Sequence, residues 1–320
     1  MRIRKGIVLL LIFFLTGCAL PELPQDTTGL HMETVQTTSG GNHTSEATVP
    51  QPTQPAQTET TQAESTAPSV TQPEPGDADF VKVSTYIPDV LTDLRYATED
   101  NFTGQKIYSF TEVYLRYGTV KKLMLVQDEL RQNGLRLKIW DGFRPPSAQF
   151  ALWDICPDPT YVSNPNNGFS SHSRGNTVDI TVVRSDGTEL TMPTGFDDFS
   201  KLADRDYSDC GKEAAENAIF LEQLMQKHGF KPYASEWWHF TDTQAYDVEL
   251  TFEPVAPYLS RADCSEYISL RTNPDTAAGV ITKIPAGGQF TVTAKHGDFL
   301  RIEYGTLFGY VLAAYTQPLT

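Results

Sequence analysis

An abrupt change in composition near residue 80 most constrains what this 320-residue chain can fold into. Residues 19–79 are rich in Thr, Gln, Pro, Ser and Glu and contain no Lys or Arg. Such a segment buries too little apolar surface to offset the entropy lost on ordering, so we expect it to stay unfolded. Together with Cys18 it forms a predicted tether, residues 18–79, in which proline favours extended backbone.

The first seventeen residues have the features of a secretory signal peptide. Three basic side chains precede an apolar stretch over residues 7–15, which is too short to span a membrane. The next residues, Leu-Thr-Gly-Cys at 15–18, resemble a bacterial lipobox, which implies cleavage before Cys18 and lipidation of its sulfur. The alternative is an ordinary signal peptide that ends near a cysteine. We expect the mature protein to lie outside the cytoplasm, with the lipid as its only membrane anchor.

The negative charge of the chain excludes some classes of partner. The net charge is −15, and loss of the first seventeen residues, with three basic and no acidic groups, takes it to near −18. This balance disfavours nucleic acid and anionic membrane surfaces as partners, because both carry dense negative charge.

Three cysteines remain after Cys18: Cys156, Cys210 and Cys264. In an oxidising compartment one disulfide can form among them, and Cys156 with Cys210 is the expected pair because both lie within one domain. Buried free thiols are the alternative, and the sequence does not decide between the two.

Residues 80–260 have the apolar periodicity of a globular domain with one sizeable core. The pattern predicts a helix over 113–133, strands over 135–140 and 178–183, a helix over 211–228 and a strand over 236–241. These elements do not alternate as regular βαβ units. The predicted fold class is therefore α+β, with a small, mainly antiparallel sheet flanked by helices.

Two separated motifs contain the side chains of a metal centre. The first places His172 seven residues before Asp179, and the second places Glu236 three residues before His239. Two histidines and one aspartate leave one position of a tetrahedral zinc open, which is typical of a catalytic site. Glu236 would then be the general base for the attacking water. No His-Glu-x-x-His sequence occurs, so this is not the common zincin arrangement.

Strand geometry sets one condition on this site. Side chains alternate between the faces of an ideal strand, so Glu236 and His239, three residues apart, would lie on opposite faces. Both can reach one metal only if the backbone bends or Glu236 approaches from a loop end. In the earlier strand Thr177, Asp179 and Thr181 share a face, where the carboxylate needs a metal or an arginine as its partner.

These motifs resemble those of the zinc peptidase family that contains D-Ala-D-Ala dipeptidases and D,D-carboxypeptidases. The family pattern Ser-x-His-x-x-Gly-x-Ala-x-Asp begins here at Ser170, with Thr177 in place of the alanine. Three further sequences favour the dipeptidase branch: Asp-Leu-Arg-Tyr-Ala-Thr at 93–98 with Asn-Phe-Thr-Gly at 101–104, Asp-Gly-Phe-Arg-Pro at 141–145, and Glu-Trp-Trp-His at 236–239. The resemblance covers roughly residues 80–255.

The resemblance implies catalytic roles for the matching residues. His172, Asp179 and His239 would bind one Zn²⁺ per chain. Glu236 is similar to the family's catalytic base, and Arg144 to the arginine that stabilises the developing oxyanion.

The resemblance also implies two substrate-binding residues. Asp197 is similar to the carboxylate that holds the substrate's free ammonium, and Ser170 to a residue beside the substrate carboxylate. One residue fewer separates Asp179 from Asp197 than in the family, so Asp198 is the alternative.

From residue 265 to 320 short alternating segments are separated by turns that contain Gly and Pro, which predicts a small β-barrel. The order of these segments resembles a bacterial SH3-like domain, with Gly-Tyr-Val at 309–311 and Phe299 where a tryptophan is usual. Such domains dock on cell-wall peptides or act only as spacers.

We therefore expect zinc-dependent hydrolysis of D-alanyl-D-alanine, or of a similar peptide derived from peptidoglycan, in cell-wall turnover. A D,D-carboxypeptidase that trims peptidoglycan stem peptides would use the same metal site and is the first alternative. A non-catalytic lipoprotein that binds the wall is the second. The catalytic expectations are favoured because the metal ligands, the base and the arginine occur together.

Overall fold

A computed structural model describes residues 70–319. The predicted signal peptide, the lipidation residue Cys18 and most of the predicted tether lie outside the described residues. Within 70–319, no helix has both the length and the apolar character needed to cross a membrane. The domain limits given by the sequence, 80–260 and 265–320, stay predictions.

A five-stranded sheet, a two-stranded sheet of β1 and β3, and the helices packed on them form the first region. Its elements are β1 (Phe80–Lys82), α1 (Val83–Tyr86), β2 (Leu91–Thr92), β3 (Tyr114–Arg116), α2 (Tyr117–Gln132), β4 (Leu135–Asp141), α3 (Pro146–Ile155), β5 (Thr177–Arg184), α4 (Lys212–Lys227), β6 (Phe230–Tyr233) and β7 (Glu236–Asp242). The strand order is β2-β4-β5-β7-β6, and only the β2–β4 pair is parallel. The predicted α+β class with a mainly antiparallel sheet is confirmed.

Helix α2 begins four residues later than its apolar spacing predicts. Strand β3 precedes it and pairs antiparallel with β1. Leu115 fits the helical pattern but is fully buried from a strand, so the predicted start was wrong. The helix ends as predicted, because Asn133 caps it and Gly134 has φ of +66°, a conformation that glycine adopts without steric cost.

Helix α4 agrees with its predicted range to within one residue at each end. Leu221, Leu224 and Met225 are buried where the helix packs on β6 and β7. Ile219, which the pattern placed on or near the apolar face, is 37% exposed, so that assignment was wrong.

Strand β5 lies at the centre of the sheet, between β4 and β7. Val178, Ile180 and Val182 are buried, as the alternation predicts. The polar face is buried too: Asp179 is 3% exposed, and Thr177 and Thr181 are fully buried. The carboxylate therefore points into the protein interior and needs a partner there.

A third sheet, of seven antiparallel strands, forms the C-terminal region. Its strands are β8 (Phe252–Ala262), β9 (Tyr267–Arg271), β10 (Val280–Pro285), β11 (Gln289–His296), β12 (Phe299–Tyr304), β13 (Leu307–Leu312) and β14 (Thr316–Pro318). The order is β10-β9-β13-β12-β11-β8-β14 around its own apolar core. This sheet confirms the predicted SH3-like β domain, and it begins at Phe252, earlier in the chain than the predicted limit.

The three cysteines of the described residues are free thiols. Cys156, Cys210 and Cys264 are each partly buried, and no disulfide joins any two of them within residues 70–319. The structure therefore agrees with the free-thiol alternative.

Candidate active site

Two strands and a short helix bring the three predicted ligand residues together. Asp179 of β5 lies directly opposite His239 of β7 in the antiparallel ladder, and His172 comes from the 3₁₀ helix Ser171–Arg174 just before β5. Asp179 Oδ1 is 3.1 Å from His239 Nδ1, and Asp179 Oδ2 is 3.2 Å from His172 Nε2. One donor atom from each residue lies within 4.8 Å of the other two. Such a cluster can hold one metal ion.

Charge and hydrogen bonding at these residues fit a cation. Burial raises the pKa of Asp179, but His172 and His239 outweigh it and hold that pKa below its ordinary value. Burial lowers the pKa of His239, but Asp179 and Glu236 raise it, to about 9 overall. The buried Asp179 Oδ1 has no hydrogen-bond partner of good geometry within residues 70–319. A buried carboxylate oxygen without a well-aligned hydrogen bond, in surroundings that stabilise positive charge, is suited to bind a metal ion.

The orientation of His172 is fixed from behind. Its Nδ1 lies 2.8 Å from the carbonyl oxygen of Gly142, which can only accept, so Nδ1 carries the proton and Nε2 faces the site. Gly175 ends the short helix with φ of +75°, and a Cβ there would lie 2.4 Å from the Phe80 ring. The glycine of the His-x-x-Gly motif is therefore required by backbone conformation and by close packing.

A bulge in β7 lets Glu236 and His239 share the site. Pro232 of β6 pairs with Phe240, but the next residue, Tyr233, pairs with Glu236. Residues 237–239 thus have no counterpart on β6, and such a bulge redirects side chains. Glu236 Oε2 lies 3.4 Å from His239 Nδ1. Of the two arrangements that would bring Glu236 and His239 together, the structure has the irregular backbone, with Glu236 as the first residue of β7.

Arg144 lies in the site wall and is paired with a buried carboxylate. Its Nη2 is 2.7 Å from Oδ2 of Asp141, which is fully buried. Burial lowers the pKa of Arg144, but Asp141 more than compensates, so the guanidinium stays charged. Asp141 Oδ1 accepts from Tyr108 Oη at 2.7 Å. The Asp-Gly-x-Arg spacing indicates Asp141 as an ion-pair partner of Arg144, and the structure shows this pair, whereas no sequence signal singles out Tyr108.

Asp197 lies near the same wall, hydrogen-bonded to a tyrosine that the sequence analysis did not select. Tyr96 Oη donates to Asp197 Oδ2 at 2.8 Å, and the Arg144 guanidinium lies 5.0 Å from the centre of the Tyr96 ring. Burial, with repulsion from Asp179 and Glu236, raises the pKa of Asp197 to about 8. Tyr96 belongs to the quoted 93–98 motif, which could have identified it.

Asp198, the alternative to Asp197, is placed differently. It is exposed, and its carboxylate accepts from the backbone amide of Ser200 at 2.9 Å. Asp197 has φ of +56°, uncommon for a residue with a side chain, and its carboxylate meets Tyr96. Of the two, the structure brings Asp197 to the site.

Two adjacent serines border the metal cluster. Ser170 is the N-cap of the 3₁₀ helix, and its hydroxyl accepts from the His172 amide at 3.4 Å. Ser171 Oγ, which the sequence analysis did not select, lies 3.4 Å from His239 Nε2. Ser170 thus helps to position His172.

Aromatic rings line the interior behind the site. Trp237 and Trp238 are each 1% exposed, and their rings meet edge to face 5.6 Å apart. Trp237 Nε1 donates to Thr194 Oγ1 at 2.9 Å, and the Trp238 ring lies 6.0 Å from that of Phe196. Such walls exclude water and strengthen electrostatic interactions within the site.

Comparison with protein families agrees with this geometry. The family model described as D-ala-D-ala dipeptidase matches residues 76–256. The chain belongs to this family. A model described as bacterial SH3 domain matches residues 266–317. As a member of a peptidase family, this chain is an enzyme.

Several relatives of this dipeptidase-family chain have the same description. A D-alanyl-D-alanine dipeptidase of Escherichia coli is 34% identical over 182 residues, which is 57% of this chain and 94% of the relative. One of Enterococcus faecalis is 32% identical over 47% of this chain and 85% of the relative. One of Streptomyces coelicolor is 32% identical over 51% of this chain and 91% of the relative.

Among solved structures, VanYB in complex with D-alanine-D-alanine is 17% identical, with a TM-score of 0.28 over 41% of this chain and 73% of that chain. The LD-carboxypeptidase LdcB is 23% identical, with a TM-score of 0.29 over 42% of this chain and 64% of that chain. Similarities at these scores add nothing to the assignment.

Proposed function

We propose that this chain hydrolyses D-alanyl-D-alanine with one Zn²⁺ as its cofactor. The observation that carries the proposal is the convergence of His172, Asp179 and His239, with Glu236 Oε2 3.4 Å from His239 Nδ1. Two histidines and one carboxylate form the donor set of a catalytic zinc. The relatives named D-alanyl-D-alanine dipeptidase support the substrate.

Glu236 is the proposed general base. Zn²⁺ held by the three ligand residues would supply Lewis acidity and lower the pKa of the attacking water. Glu236 takes the proton of that water and passes it to the leaving amine. Its side chain is 25% exposed and adjoins the ligands, so a substrate can approach it.

Arg144 is proposed to stabilise the oxyanion. Asp141 and Gln149 hold its guanidinium, at 2.7 Å and 3.3 Å, before any substrate arrives. A donor fixed in advance needs no reorganisation as charge develops on the scissile carbonyl oxygen. Ser170, at the N-cap of the helix that carries His172, is proposed to contact the substrate carboxylate.

Asp197 is the proposed partner of the substrate's free ammonium. Its carboxylate accepts a hydrogen bond from Tyr96, and burial raises its pKa, so a negative charge there is favoured by a cationic partner. A substrate ammonium supplies the missing positive charge. This observation favours a dipeptide over an acylated stem peptide, which has no free amine at that point.

One assay separates the three candidate functions. The zinc-loaded chain is given D-Ala-D-Ala and, separately, an acylated tripeptide that ends in D-Ala-D-Ala, and released D-Ala is measured. We expect faster release from the dipeptide. Faster release from the tripeptide would identify a D,D-carboxypeptidase, and no release from either would support the wall-binding lipoprotein.

We also propose that the protein is a lipoprotein anchored outside the cytoplasm. The lipobox-like sequence before Cys18 supports this. Labelled palmitate should enter the wild-type chain in a bacterial host, and Cys18→Ala should abolish that labelling. Labelling of the Cys18→Ala chain would contradict this anchor.

A cell-wall peptide is the proposed partner of the C-terminal domain. A cleft of about 440 Å³, lined by Tyr267, Arg271 and Tyr315 among others, supports this, because both tyrosines are 42–51% exposed. Strand β9 pairs with β13 only at Arg271–Tyr310 within the described chain, so the edge of β9 beside the cleft can receive an extended peptide. Tyr267→Ala with Tyr315→Ala should reduce co-sedimentation with insoluble peptidoglycan, and unchanged sedimentation would favour a spacer.

A further inference from the structure

A buried aromatic cluster joins the C-terminal sheet to the catalytic region. Its members, none more than 3% exposed, are Phe80, Tyr114, Phe143, Phe252 and Ala294. We call this set the aromatic cluster. Phe80, Tyr114 and Phe143 come from the five-stranded-sheet region, whereas Phe252 and Ala294 belong to β8 and β11 of the seven-stranded sheet.

Phe252 lies at the centre of the aromatic cluster. Its ring stacks on Phe80 at 4.5 Å with an interplanar angle of 8°, and it lies 5.4 Å from Tyr114 and 5.7 Å from Phe143. Phe252 is the first residue of β8 and pairs with His296 of β11. The position of its ring is therefore set by the C-terminal sheet.

Phe143 connects the aromatic cluster to the site. It immediately precedes Arg144, and its ring lies 4.5 Å from that of Phe80. The backbone on either side is bonded to His172: the Gly142 carbonyl faces His172 Nδ1 at 2.8 Å, and the Arg144 amide donates to the His172 carbonyl at 3.3 Å. A shift of the Phe143 ring would therefore disturb both the arginine and a candidate ligand.

A polar contact supports the same segment from the C-terminal sheet. Ser147 Oγ, in the first turn of α3, donates to Glu253 Oε1 of β8 at 2.6 Å. Only two prolines separate Ser147 from Arg144, so this stretch of backbone has little freedom. The segment 141–147 is thus held at its phenylalanine and at its serine by consecutive residues of β8.

We propose that Phe252 is a positioning residue of the active site and that the C-terminal sheet, through Phe252 and Phe143, holds Arg144 in its catalytic orientation. The proposal rests on the proposed role of Arg144. Loss of the Phe252 ring leaves Phe143 room to move, and a displacement of about 1 Å at a catalytic group can cost on the order of 100-fold in rate. We expect the loss of the Phe252 ring to lower kcat rather than raise KM, because an oxyanion contact strengthens in the transition state.

The test compares Phe252→Ala with Val311→Ala, a smaller truncation in the core of the C-terminal sheet, outside the aromatic cluster. Val311 is also fully buried, so both variants lose core packing. At a temperature where circular dichroism shows both folded, Phe252→Ala should lower kcat for D-Ala-D-Ala by roughly 10- to 100-fold with little change in KM. Val311→Ala should stay within about twofold of wild type, and Phe252→Leu should recover most of the lost rate. Equal kcat in Phe252→Ala and Val311→Ala would overturn the proposal.

A second readout does not depend on catalysis. Hydrogen exchange of a peptide covering residues 141–147 should be faster in Phe252→Ala than in Val311→Ala, because the Phe143 and Arg144 amides lose their fixed partners. Exchange in α4 should be the same in both variants.

If wild type releases no D-Ala, the proposed function is wrong, and the exchange comparison alone decides the positioning role. Equal exchange of segment 141–147 in the two variants would reject that role. Should Phe252→Ala not fold, Phe252→Val, which also lacks the ring, replaces it in both arms, with a smaller effect expected in the same direction.

Discussion

His172 lies between two buried carboxylates that are satisfied in different ways. Asp141 Oδ2 is 3.6 Å from its Nδ1, and Asp179 Oδ2 is 3.2 Å from its Nε2. Asp141 is also bonded to Arg144 and Tyr108, so its charge is compensated by the protein itself. Asp179 Oδ1 has no such bond in the described chain. Asp141 is therefore suited to support the site, and Asp179 is suited to bind a cation.

The metal content of histidine variants tests the ligand set. His172→Ala or His239→Ala should lose most of the bound zinc, because two of the three donors cannot complete the site. His228→Ala is the control, since His228 pairs with Glu129 at 2.7 Å outside the site. Elemental analysis of the purified variants should show about one zinc per chain in wild type and in the control. Full zinc retention by either ligand variant would contradict the assignment.

Replacement of Glu236 tests the base. Glu236→Gln keeps the size of the side chain and leaves His172, Asp179 and His239 intact, so zinc content should not change. The rate of D-Ala release should fall by roughly 100- to 10,000-fold, the range typical of a general base. A near wild-type rate would assign proton transfer to another group.

The pH dependence tests Asp197. Its pKa is raised by burial to about 8, so below that pH the free enzyme holds this carboxyl mostly protonated and unable to pair with an ammonium. The kcat/KM for D-Ala-D-Ala should therefore rise with pH, and a bound cation, by offsetting the charge of Asp179, should move this rise below pH 8. Asp197→Asn should remove this rise.

The same residue should discriminate against a blocked amine. Loss of one partner of a desolvated charge pair costs about 2–5 kcal/mol, which is roughly thirty- to several-thousand-fold. N-acetyl-D-Ala-D-Ala should be poorer than D-Ala-D-Ala by that factor, and Asp197→Asn should narrow the gap. Comparable cleavage of both peptides by wild type would exclude the ammonium contact.

At the scale of elements, the predictions succeeded where one interaction decides the local structure. The ends of α2 and α4 followed from glycines that adopt positive φ, at Gly134 and Gly229. The proximity of His172, Asp179 and His239 agrees with the residue types and spacing of the two motifs. The start of α2 depends on the pairing of β3 with β1, which is distant in sequence, so periodicity alone could not locate it. The bend of β7 depends on a register shift against the neighbouring strand β6, and a pattern of apolar residues does not reveal such a shift.

A comparison of Gly175 with Gly134 distinguishes the cost of backbone strain from the cost of side-chain overpacking. Gly175 and Gly134 have φ of +75° and +66°, so alanine is unfavourable at both. A Cβ at Gly175 would lie 2.4 Å from Phe80, whereas at Gly134 it would meet nothing within 4 Å. Gly175→Ala should therefore destabilise the fold by about 1–3 kcal/mol more than Gly134→Ala, because overpacking adds to the strain. Urea denaturation of both variants measures the difference, and equal losses would exclude a packing role for Gly175.

At the scale of the whole molecule, the β1–β3 strand pair of the catalytic region and the seven-stranded sheet share buried surface. Lys82 of β1 pairs with Glu303 of β12 at 2.8 Å, and Phe80 of β1 stacks on Phe252 of β8. Removal of the seven-stranded sheet would expose three aromatic rings of the catalytic region. Periodicity in the sequence gives no indication of these contacts, because a partner that is distant in sequence leaves no periodic signal.

Thermal unfolding tests this sharing. Residues 70–319 should unfold in one calorimetric transition, because neither sheet retains its packing without the other. A chain that ends before Phe252 should be much less stable and should expose apolar surface, detectable by dye binding. Two well-separated transitions in the wild-type chain would show that the sheets are independent.

The stacking of Phe252 on Phe80 bears on how such a chain can evolve. Binding modules are commonly exchanged between genes as cassettes, joined wherever a linker permits. Phe252 lies within the dipeptidase-family match, so a new C-terminal module would have to pair with β8 and present a residue as small as Ala294 beside the Phe252 ring. Recombination is thereby limited to modules that can pair with this strand and leave space for its aromatic ring.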